Sequence, residues 1–326
     1  MLLLSRTEVA ALLDLDRLVD GLAAAMDDFS HGRTSMPSRV AAMVDEKHAM
    51  LAVMPAYLPS ARALTTKLVS LFPENTDRPT HQAVICCFDA DTGTPVAIMD
   101  GEHITATRTA AGSALATRLL ARPQASVVSI IGTGVQARSH AYALSRLNGI
   151  AVIQVTGRDP RRAAALADEL HGAGIAASAA ASIEDAVRTA DVVCVATHSA
   201  EPVIRRAWLN PGTHVNSVGY NASGTGEIDV DTIRDALLVV ESRVSALAPP
   251  PSGPIELHHA ISSGAITADH IHAEIGELVA GDCPARTDDE QITLYKSVGV
   301  AVQDAVAAAL VVANARARGI GTEVEF

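Results

Sequence analysis

Apolar positions along the first hundred residues predict one helical region followed by a sheet. Residues 6–31 carry apolar side chains at helical spacing, with Gly32 closing the region. Strand-like segments broken by proline and glycine follow at 38–44, 49–54, 64–72, 82–89 and 95–99. The residues Asp91-Thr92-Gly93-Thr94 have the composition of a hairpin turn. We therefore predict a mostly antiparallel sheet, followed by a second helix over 103–121.

From residue 125 the pattern changes to alternating strands and helices. Ala125–Ile131 is a nearly continuous apolar segment, which is typical of a strand buried in a parallel sheet. We predict a helix that ends at about Leu147 and another over 160–171. Further strands are predicted at 151–156, 191–196, 213–218 and 236–241. Repeated βα units of this kind predict a doubly wound, Rossmann-type α/β domain. The chain is then expected to close with an alanine-rich helix over 297–318.

Composition and charge narrow the classes of function. At 326 residues, with 48% hydrophobic and 19% charged residues, the chain is expected to form two domains with large cores. A formal net charge of -12 argues against nucleic acid as a main partner, because phosphate binding requires clustered cations. The apolar residues Met1–Leu4 are too few for a signal peptide or a membrane span, so no membrane partner is expected.

The four cysteines predict a reducing, cytoplasmic location. Cys86 and Cys87 are adjacent in an apolar segment, where burial in a strand is the expected role. No spacing of cysteine and histidine is typical of a zinc site, so we expect no metal.

A glycine-rich motif follows the first strand of the α/β region. In Gly132-Thr133-Gly134-Val135-Gln136-Ala137 the first glycine permits a tight turn and the second lets the backbone approach a pyrophosphate. The small third residue lets the helix pack on the strand, and the helix N-terminus offers N–H groups to the anion. This motif therefore predicts a bound dinucleotide.

The end of the next strand bears on which nicotinamide cofactor is used. An acidic residue there would bind the ribose 2′-hydroxyl of NAD, but Gly157 stands at that position. Arg158 and Arg162 could instead pair with the 2′-phosphate of NADP. We therefore expect NADP(H) to be preferred. The alternative is that the arginines are a solvated helix start and that Asp159 binds the ribose, which would make NAD(H) possible.

Lysine is rare in this chain. Of 25 cationic residues only Lys47, Lys67 and Lys296 are lysines. Lys67 lies within a strand-like apolar segment, so it is either an edge residue or a buried functional cation whose pKa can be tuned.

Sequence blocks along nearly the whole chain resemble one known family. The blocks are Val53-Met54-Pro55-Ala56-Tyr57, Leu64-Thr65-Thr66-Lys67-Leu68-Val69, His81-Gln82-Ala83, Met99-Asp100-Gly101, Ile104-Thr105-Ala106, Arg108-Thr109-Ala110-Ala111, the glycine-rich motif, Glu274-Ile275-Gly276-Glu277 and Lys296-Ser297-Val298-Gly299. Together they are similar to the ornithine cyclodeaminase/mu-crystallin family, and the first two blocks resemble its mu-crystallin (ketimine reductase) branch.

The resemblance implies a homodimer in which a Rossmann-type domain is inserted between the two parts of an α+β substrate-binding and dimerisation domain. The boundaries expected are 1–120 plus 300–326 for the substrate domain and 121–299 for the dinucleotide domain. It implies reduction of a small α-imino acid, a cyclic ketimine or an N-alkyl imine, to the amino acid. Amino-acid dehydrogenase, ornithine cyclodeaminase and a non-enzymatic, crystallin-like ligand binder remain alternatives.

The resemblance also implies roles for individual residues. Arg39, Lys67 and Arg108 would bind the substrate carboxylate, with Lys67 and Arg108 acting in catalysis and Arg108 also lying near the cofactor phosphates. His81 would line the nicotinamide pocket. Further cofactor contacts are implied at Thr197, Val218 and Ser297.

One position departs from the cyclodeaminase pattern. Where those enzymes carry an aspartate that handles the substrate amine, this chain has Asn221, which we assign to substrate binding. An amide cannot act as a general base near neutral pH. The substitution therefore argues against ornithine cyclisation, and it is compatible with reduction of an imine that arrives already protonated.

Overall fold

The computed structural model describes residues 1–221 and 223–325. Its strands in chain order are β1 (Leu2–Leu4), β2 (Val40–Val44), β3 (Ala49–Leu58), β4 (Ala63–Leu71), β5 (His81–Phe88), β6 (Pro95–Asp100), β7 (Val127–Ile131), β8 (Val152–Thr156), β9 (Ala177–Ala179), β10 (Val192–Val195), β11 (His214–Ser217), β12 (Leu237–Val240), β13 (Ile271–Glu274), β14 (Thr293–Lys296) and β15 (Thr322–Glu323). Its helices are α1 (Arg6–Leu12), α2 (Leu15–Ser30), α3 (Gly101–Leu120), α4 (Val135–Leu144), α5 (Pro160–Gly172), α6 (Ile183–Arg188), α7 (Val230–Asp235), α8 (Arg243–Ala246), α9 (Ile255–Ser262), α10 (Ile275–Ala280) and α11 (Ala301–Arg318).

The chain divides into two compact units. Unit 1 comprises Met1–Arg108 and Val300–Phe326, and unit 2 comprises Thr109–Gly299. The first boundary falls inside α3, whereas the sequence suggested a boundary at residue 120, after that helix.

Unit 1 is built on a seven-stranded sheet in the order β15-β1-β6-β5-β4-β3-β2. Neighbouring strands are antiparallel except for β1 and β6, which are parallel. Side chains alternate between the faces of β4, so that Thr65, Lys67 and Val69 share the buried face. Helix α11 packs on β3 and β4, and α2 packs on α11. The predicted antiparallel sheet is thus confirmed, with Lys67 on a central strand.

Unit 2 is a parallel sheet in the order β13-β12-β14-β11-β10-β7-β8-β9. Its central strands are buried on both faces, as the continuous apolar segments predicted. The chain leaves β7 toward β8 on one side and returns to β10 on the other, so the strand order reverses between β7 and β10. Ligands of doubly wound folds bind outside the carboxyl ends of the strands at such a reversal. The predicted Rossmann-type fold is confirmed.

Two predicted helices differ from the observed ones. The helical region over 6–31 is two helices, because the Asp14 side chain accepts a hydrogen bond from the Arg17 N–H and begins a new helix. The final helix begins at Ala301 rather than at residue 297. The residues before Ala301 do not join the helix, because the Glu241 carboxylate accepts the N–H groups of Val298 and Gly299 at 2.7 and 2.6 Å.

Candidate functional site

A buried ionic cluster lies on the inner face of the unit 1 sheet. The Lys67 Nζ donates to both carboxylate oxygens of Asp304, at 3.0 and 2.8 Å. The Arg108 Nε donates to Asp304 Oδ1 at 3.3 Å, and its Nη1 donates to Gln303 Oε1 at 2.7 Å. Lys67 and Arg108 are only 3% and 5% exposed, and Asp304 is 1% exposed. Two cations thus surround one carboxylate in a site that water hardly reaches.

Three elements place these side chains together. Lys67 lies in the middle of β4, opposite Met54 of β3 and Ile85 of β5, so the alternative of an edge residue is wrong. Arg108 lies on α3 one turn after Thr105, whose hydroxyl is 3.5 Å from Lys67 Nζ. Asp304 lies in the first turn of α11, where the positive end of the helix dipole favours a carboxylate.

The protonation states follow from this burial. Burial lowers the pKa of Lys67 to about 8, and the Asp304 carboxylate partly opposes that shift, whereas the Arg108 and Arg39 cations add to it. Burial by itself would raise the pKa of Asp304, but the charges of Arg108 and Lys67 outweigh it and keep that pKa below its usual range. At neutral pH the cluster therefore holds an ionised Asp304 and an ammonium that can release its proton near pH 8.

The other predicted substrate-side residues of unit 1 lie in the same environment. His81 begins β5 and shares the inner face with Ile85. Burial lowers the pKa of His81 to about 4, and the Lys67 and Arg108 cations add to the shift, so its imidazole is neutral. Arg39 is half-buried just before β2. The structure thus brings Arg39, Lys67, His81 and Arg108 together.

In unit 2, the glycine-rich loop after β7 has the geometry that a dinucleotide requires. Gly132 adopts a φ of +131°, and a Cβ there would lie 2.4 Å from the Ala196 carbonyl oxygen, so this position needs glycine. Gly134 is the N-cap of α4, and a Cβ on it would meet nothing within 4 Å. The buried Ala137 lets α4 pack closely against the loop. Thr133, Val135 and Gln136 complete a loop with open space beside its second glycine, which fits an approaching pyrophosphate.

The residues after β8 lie beside that loop. Gly157 is half-buried, and a Cβ there would lie 3.3 Å from the Thr133 methyl carbon. Arg158 and Arg162 are exposed. Asp159 caps α5, since its carboxylate accepts a hydrogen bond from the Arg161 N–H at 2.9 Å.

The remaining predicted residues lie at the carboxyl edge of the unit 2 sheet. Thr197 follows β10, Val218 follows β11, and Ser297 follows β14, where its hydroxyl donates to Glu241 at 2.8 Å. The Asn221 amide donates to the His198 carbonyl at 2.8 Å, and its oxygen accepts the Ser223 N–H at 3.0 Å. Asn221 therefore links two loops of this edge.

Sequence reasoning missed Gln303 and Asp304. Their signal was a polar pair at the start of an otherwise alanine- and valine-rich helix, on the side that the helix buries. A buried acidic residue in such a helix requires a partner. The sequence does not say that the partners are Lys67 and Arg108, because those residues are 237 and 196 positions away.

The described residues show neither a metal-binding cluster nor a membrane-spanning helix. Within residues 1–221 and 223–325 no group of three histidine, cysteine, aspartate or glutamate side chains could hold a metal ion. None of the described helices is both long enough and apolar enough to cross a bilayer.

Comparison with known proteins matches nearly the whole chain to one protein family. The profile of the ornithine cyclodeaminase/mu-crystallin family matches residues 1–319. The ketimine reductase mu-crystallin of Mus musculus is 39% identical over 299 residues, covering 90% of each chain.

Solved structures agree with that grouping. The chain matches Thermococcus litoralis Delta(1)-pyrroline-2-carboxylate reductase, solved with NADH and L-proline, with a TM-score of 0.94 and 36% identity over 99% of this chain and 100% of that one. It matches an archaeal alanine dehydrogenase dimer with bound NAD with a TM-score of 0.92 and 32% identity over 100% of this chain and 99% of that one.

Proposed function

The chain belongs to the ornithine cyclodeaminase/mu-crystallin family, and from this premise we propose that it reduces the C=N bond of a small α-imino acid to an amino acid. The observation that carries the proposal is the buried cluster of Lys67, Arg108 and Asp304 in a chain whose other unit has a dinucleotide-binding loop. Relatives that act on imines support the same reaction class.

The cluster is suited to a substrate carboxylate. Lys67 and Arg108 contribute two positive charges against the single negative charge of Asp304, so the cluster carries an excess of positive charge. We propose that Arg39, Lys67 and Arg108 bind the carboxylate of the imino acid. Fixing that group orients the adjacent C=N carbon, and orientation of this kind can lower a barrier by up to about 7–11 kcal/mol.

Lys67 is also placed to handle protons. With its pKa lowered to about 8, its Nζ can donate a proton toward the substrate nitrogen. Asp304 keeps Lys67 in the protonated form that such donation requires, because the two are 2.8 Å apart. Asn221, with its amide engaged by the loop, is proposed to contact the substrate without exchanging protons.

A nicotinamide dinucleotide supplies the hydride when it is bound. We propose that Gly132, Gly134 and the first turn of α4 hold its pyrophosphate, with Thr133, Val135, Gln136, Thr197, Val218 and Ser297 as further contacts. His81 is proposed to line the nicotinamide pocket as a neutral imidazole.

The cofactor is proposed to be NADP(H) by preference, with NAD(H) accepted. Gly157 leaves no carboxylate for a ribose 2′-hydroxyl, and the exposed Arg158 and Arg162 can pair with a 2′-phosphate. Asp159 already caps α5, which makes it a weaker candidate for binding the ribose.

The outer face of the unit 1 sheet is proposed to bind a second copy of this chain. On β2, β3 and β5 it exposes large apolar side chains, which are Val40, Val44, Leu51, Val53, Tyr57 and Val84. Exposed apolar side chains that share one sheet face are typical of an interface. The archaeal alanine dehydrogenase is a dimer. Sedimentation velocity at micromolar concentration tests whether this chain is a homodimer.

The function is tested by following NADPH and NADH oxidation over a panel of substrates. The panel holds Delta(1)-pyrroline-2-carboxylate, its six-membered-ring homologue, and 2-oxo acids mixed with ammonia or methylamine. We expect turnover with a preformed cyclic or N-alkyl imine, and a larger kcat/KM with NADPH than with NADH. Turnover confined to pyruvate plus ammonia would make the protein an amino-acid dehydrogenase, and no oxidation of either dinucleotide would overturn the proposal.

Imine reduction is expected to decline as the pH rises through about 8. Burial lowers the pKa of Lys67 to about 8. The protonated ammonium is the form that binds the carboxylate, so activity is present below this pKa and is lost above it. A profile of kcat/KM from about pH 6 to about pH 10 measures the decline.

Lys67→Arg is the matched control for that profile. The guanidinium stays charged throughout this range, so whatever activity the variant retains should not decline near pH 8. A wild-type profile that stays flat to about pH 10 would contradict the assignment of Lys67.

A further inference from the structure

A second buried ionic network lies at the carboxyl edge of the unit 2 sheet. The Glu227 carboxylate accepts four hydrogen bonds from three residues at the ends of β10 and β11. Its Oε2 accepts the Thr197 N–H at 3.0 Å and the Thr197 hydroxyl at 2.8 Å. Its Oε1 accepts the Gly219 N–H at 2.7 Å and the Ser217 hydroxyl at 2.9 Å. Glu227 therefore joins the loops that follow two neighbouring strands.

Lys296 supports this network from β14. Its Nζ donates to Glu256 Oε1 at 2.6 Å, to the Gly219 carbonyl at 2.9 Å and to the Ser217 hydroxyl at 3.1 Å. Three acceptors around one point match the compact ammonium of lysine, and the planar fork of arginine would not fit them. This explains why one of the few lysines of the chain stands at this position. Lys296, Glu227 and Glu256 are 2%, 3% and 4% exposed, so one ammonium serves two carboxyl groups away from water. Burial raises the pKa of Glu227, and the Lys296 cation opposes that rise.

The loops are packed tightly on the carboxylate. A Cβ on Gly219 would lie 2.2 Å from Glu227 Oε2 and 2.3 Å from the Thr197 carbonyl oxygen, so only glycine fits between them. Thr197 directly follows Ala196, whose carbonyl oxygen closely approaches Gly132. A shift of Glu227 would therefore be passed through Thr197 to the first glycine of the dinucleotide loop.

We propose that Glu227, held by Lys296, is a positioning residue for dinucleotide binding. It fixes Thr197 after β10 and the start of the loop after β11, which carries Val218. Thr197 and Val218 are the two residues at these strand ends that we assign to the cofactor. It acts through the backbone N–H groups of Thr197 and Gly219 and does not touch the cofactor itself. The inference rests on the proposed function, because it requires that a dinucleotide bind at this edge.

The test is Glu227→Gln compared with Asp191→Asn. Glutamine keeps the volume but replaces one oxygen by an NH₂ group, so at least one backbone N–H loses its acceptor. Asp191 is a matched control, since its carboxylate accepts the N–H groups of Ser126 and Val127 at 2.9 and 3.1 Å at the opposite, amino edge of the same sheet. Both variants are expected to lower the Tm.

Of Glu227→Gln and Asp191→Asn, only Glu227→Gln is expected to weaken the binding of the cofactor. The Kd for NADPH, measured by fluorescence titration of the folded protein, should rise about tenfold to a hundredfold, which corresponds to about 1.4–2.8 kcal/mol. The KM for NADPH should rise with it. Ser217→Ala, which removes a single donor to Glu227, should give a smaller rise and keeps the test available if the first variant does not fold.

The outcomes separate the two proposals. Wild-type protein that binds neither NADPH nor NADH would overturn the proposed function and this inference together. If the wild type binds NADPH and Glu227→Gln binds it with an unchanged Kd, the inference is overturned and the proposed function stays intact. If only Ser217→Ala folds, an unchanged Kd in that variant has the same meaning. An equal rise of the Kd in Asp191→Asn would show a general structural effect and would also overturn it.

Discussion

Lys67→Met is expected to lower kcat/KM for an accepted cyclic imine by about 10²–10³-fold, the usual loss when one donor to a reacting charge is removed. The Lys67 ammonium is buried, on a central strand, and 2.8 Å from the Asp304 carboxylate. Methionine has nearly the same length and no charge, so the substrate carboxylate loses a cation that water cannot replace. Affinity for the dinucleotide should change far less, because the loop that we propose to hold its pyrophosphate belongs to unit 2.

The experiment compares steady-state kinetics on the imine with a titration of NADPH binding. Lys47→Met is the matched control, since Lys47 is exposed on the short helical turn Asp45–Lys47 and should tolerate the same exchange without effect. Lys67→Met also leaves Asp304 with Arg108 as its charged partner, so its Tm must be recorded. A variant that folds and retains wild-type kcat/KM would remove Lys67 from the mechanism.

Gly134→Ala is expected to weaken dinucleotide binding by about tenfold to a hundredfold while the fold is kept, which corresponds to about 1.4–2.8 kcal/mol of binding free energy. A Cβ at Gly134 meets no protein atom within 4 Å, and its φ of -89° suits any residue. Alanine is a poorer N-cap than glycine, so a loss of about 1 kcal/mol or less in the free energy of unfolding is expected. The added methyl group occupies the space through which the backbone approaches the pyrophosphate.

Two further glycines make this test specific. Gly172→Ala, at the exposed end of α5 with no atom within 4 Å of the new Cβ, should change neither stability nor affinity appreciably. Gly132→Ala should lower both, because its φ is +131° and the Cβ would lie 2.4 Å from the Ala196 oxygen. Titration with NADPH and thermal unfolding of the three variants measure the differences. Equal affinities for wild type and Gly134→Ala would mean that the dinucleotide does not bind at this loop.

The local features of the fold could be predicted from the sequence, and the long-range ones could not. The turn at Gly132, the helix it opens and the parallel strands around it depend on neighbouring residues. Lys67 could be singled out by composition and by the resemblance. Its partner Asp304 could not, because nothing local relates two residues 237 positions apart.

The boundaries of two helices were wrong for reasons that lie in side-chain contacts. Apolar spacing continues across Asp14, but its carboxylate caps a new helix there. Val298 continues the helical spacing of Val302 and Val306, yet buried Glu241 binds the Val298 and Gly299 N–H groups and Gly299 adopts a φ of +77°. The network of Glu227 and Lys296 could not be predicted either. Its members come from three strand ends and a helix that are far apart in the sequence.

The central claim, hydride transfer to an imine carbon, is tested most directly with NADPH in which both hydrogens on the reactive carbon of the nicotinamide are replaced by deuterium. The protein is incubated with this cofactor and the imino acid that it accepts, and the amino acid is analysed by mass spectrometry. The account predicts one deuterium on the α carbon of the product for each NADPH oxidised. An amino acid product without deuterium, or one formed with no net oxidation of the cofactor, would contradict it.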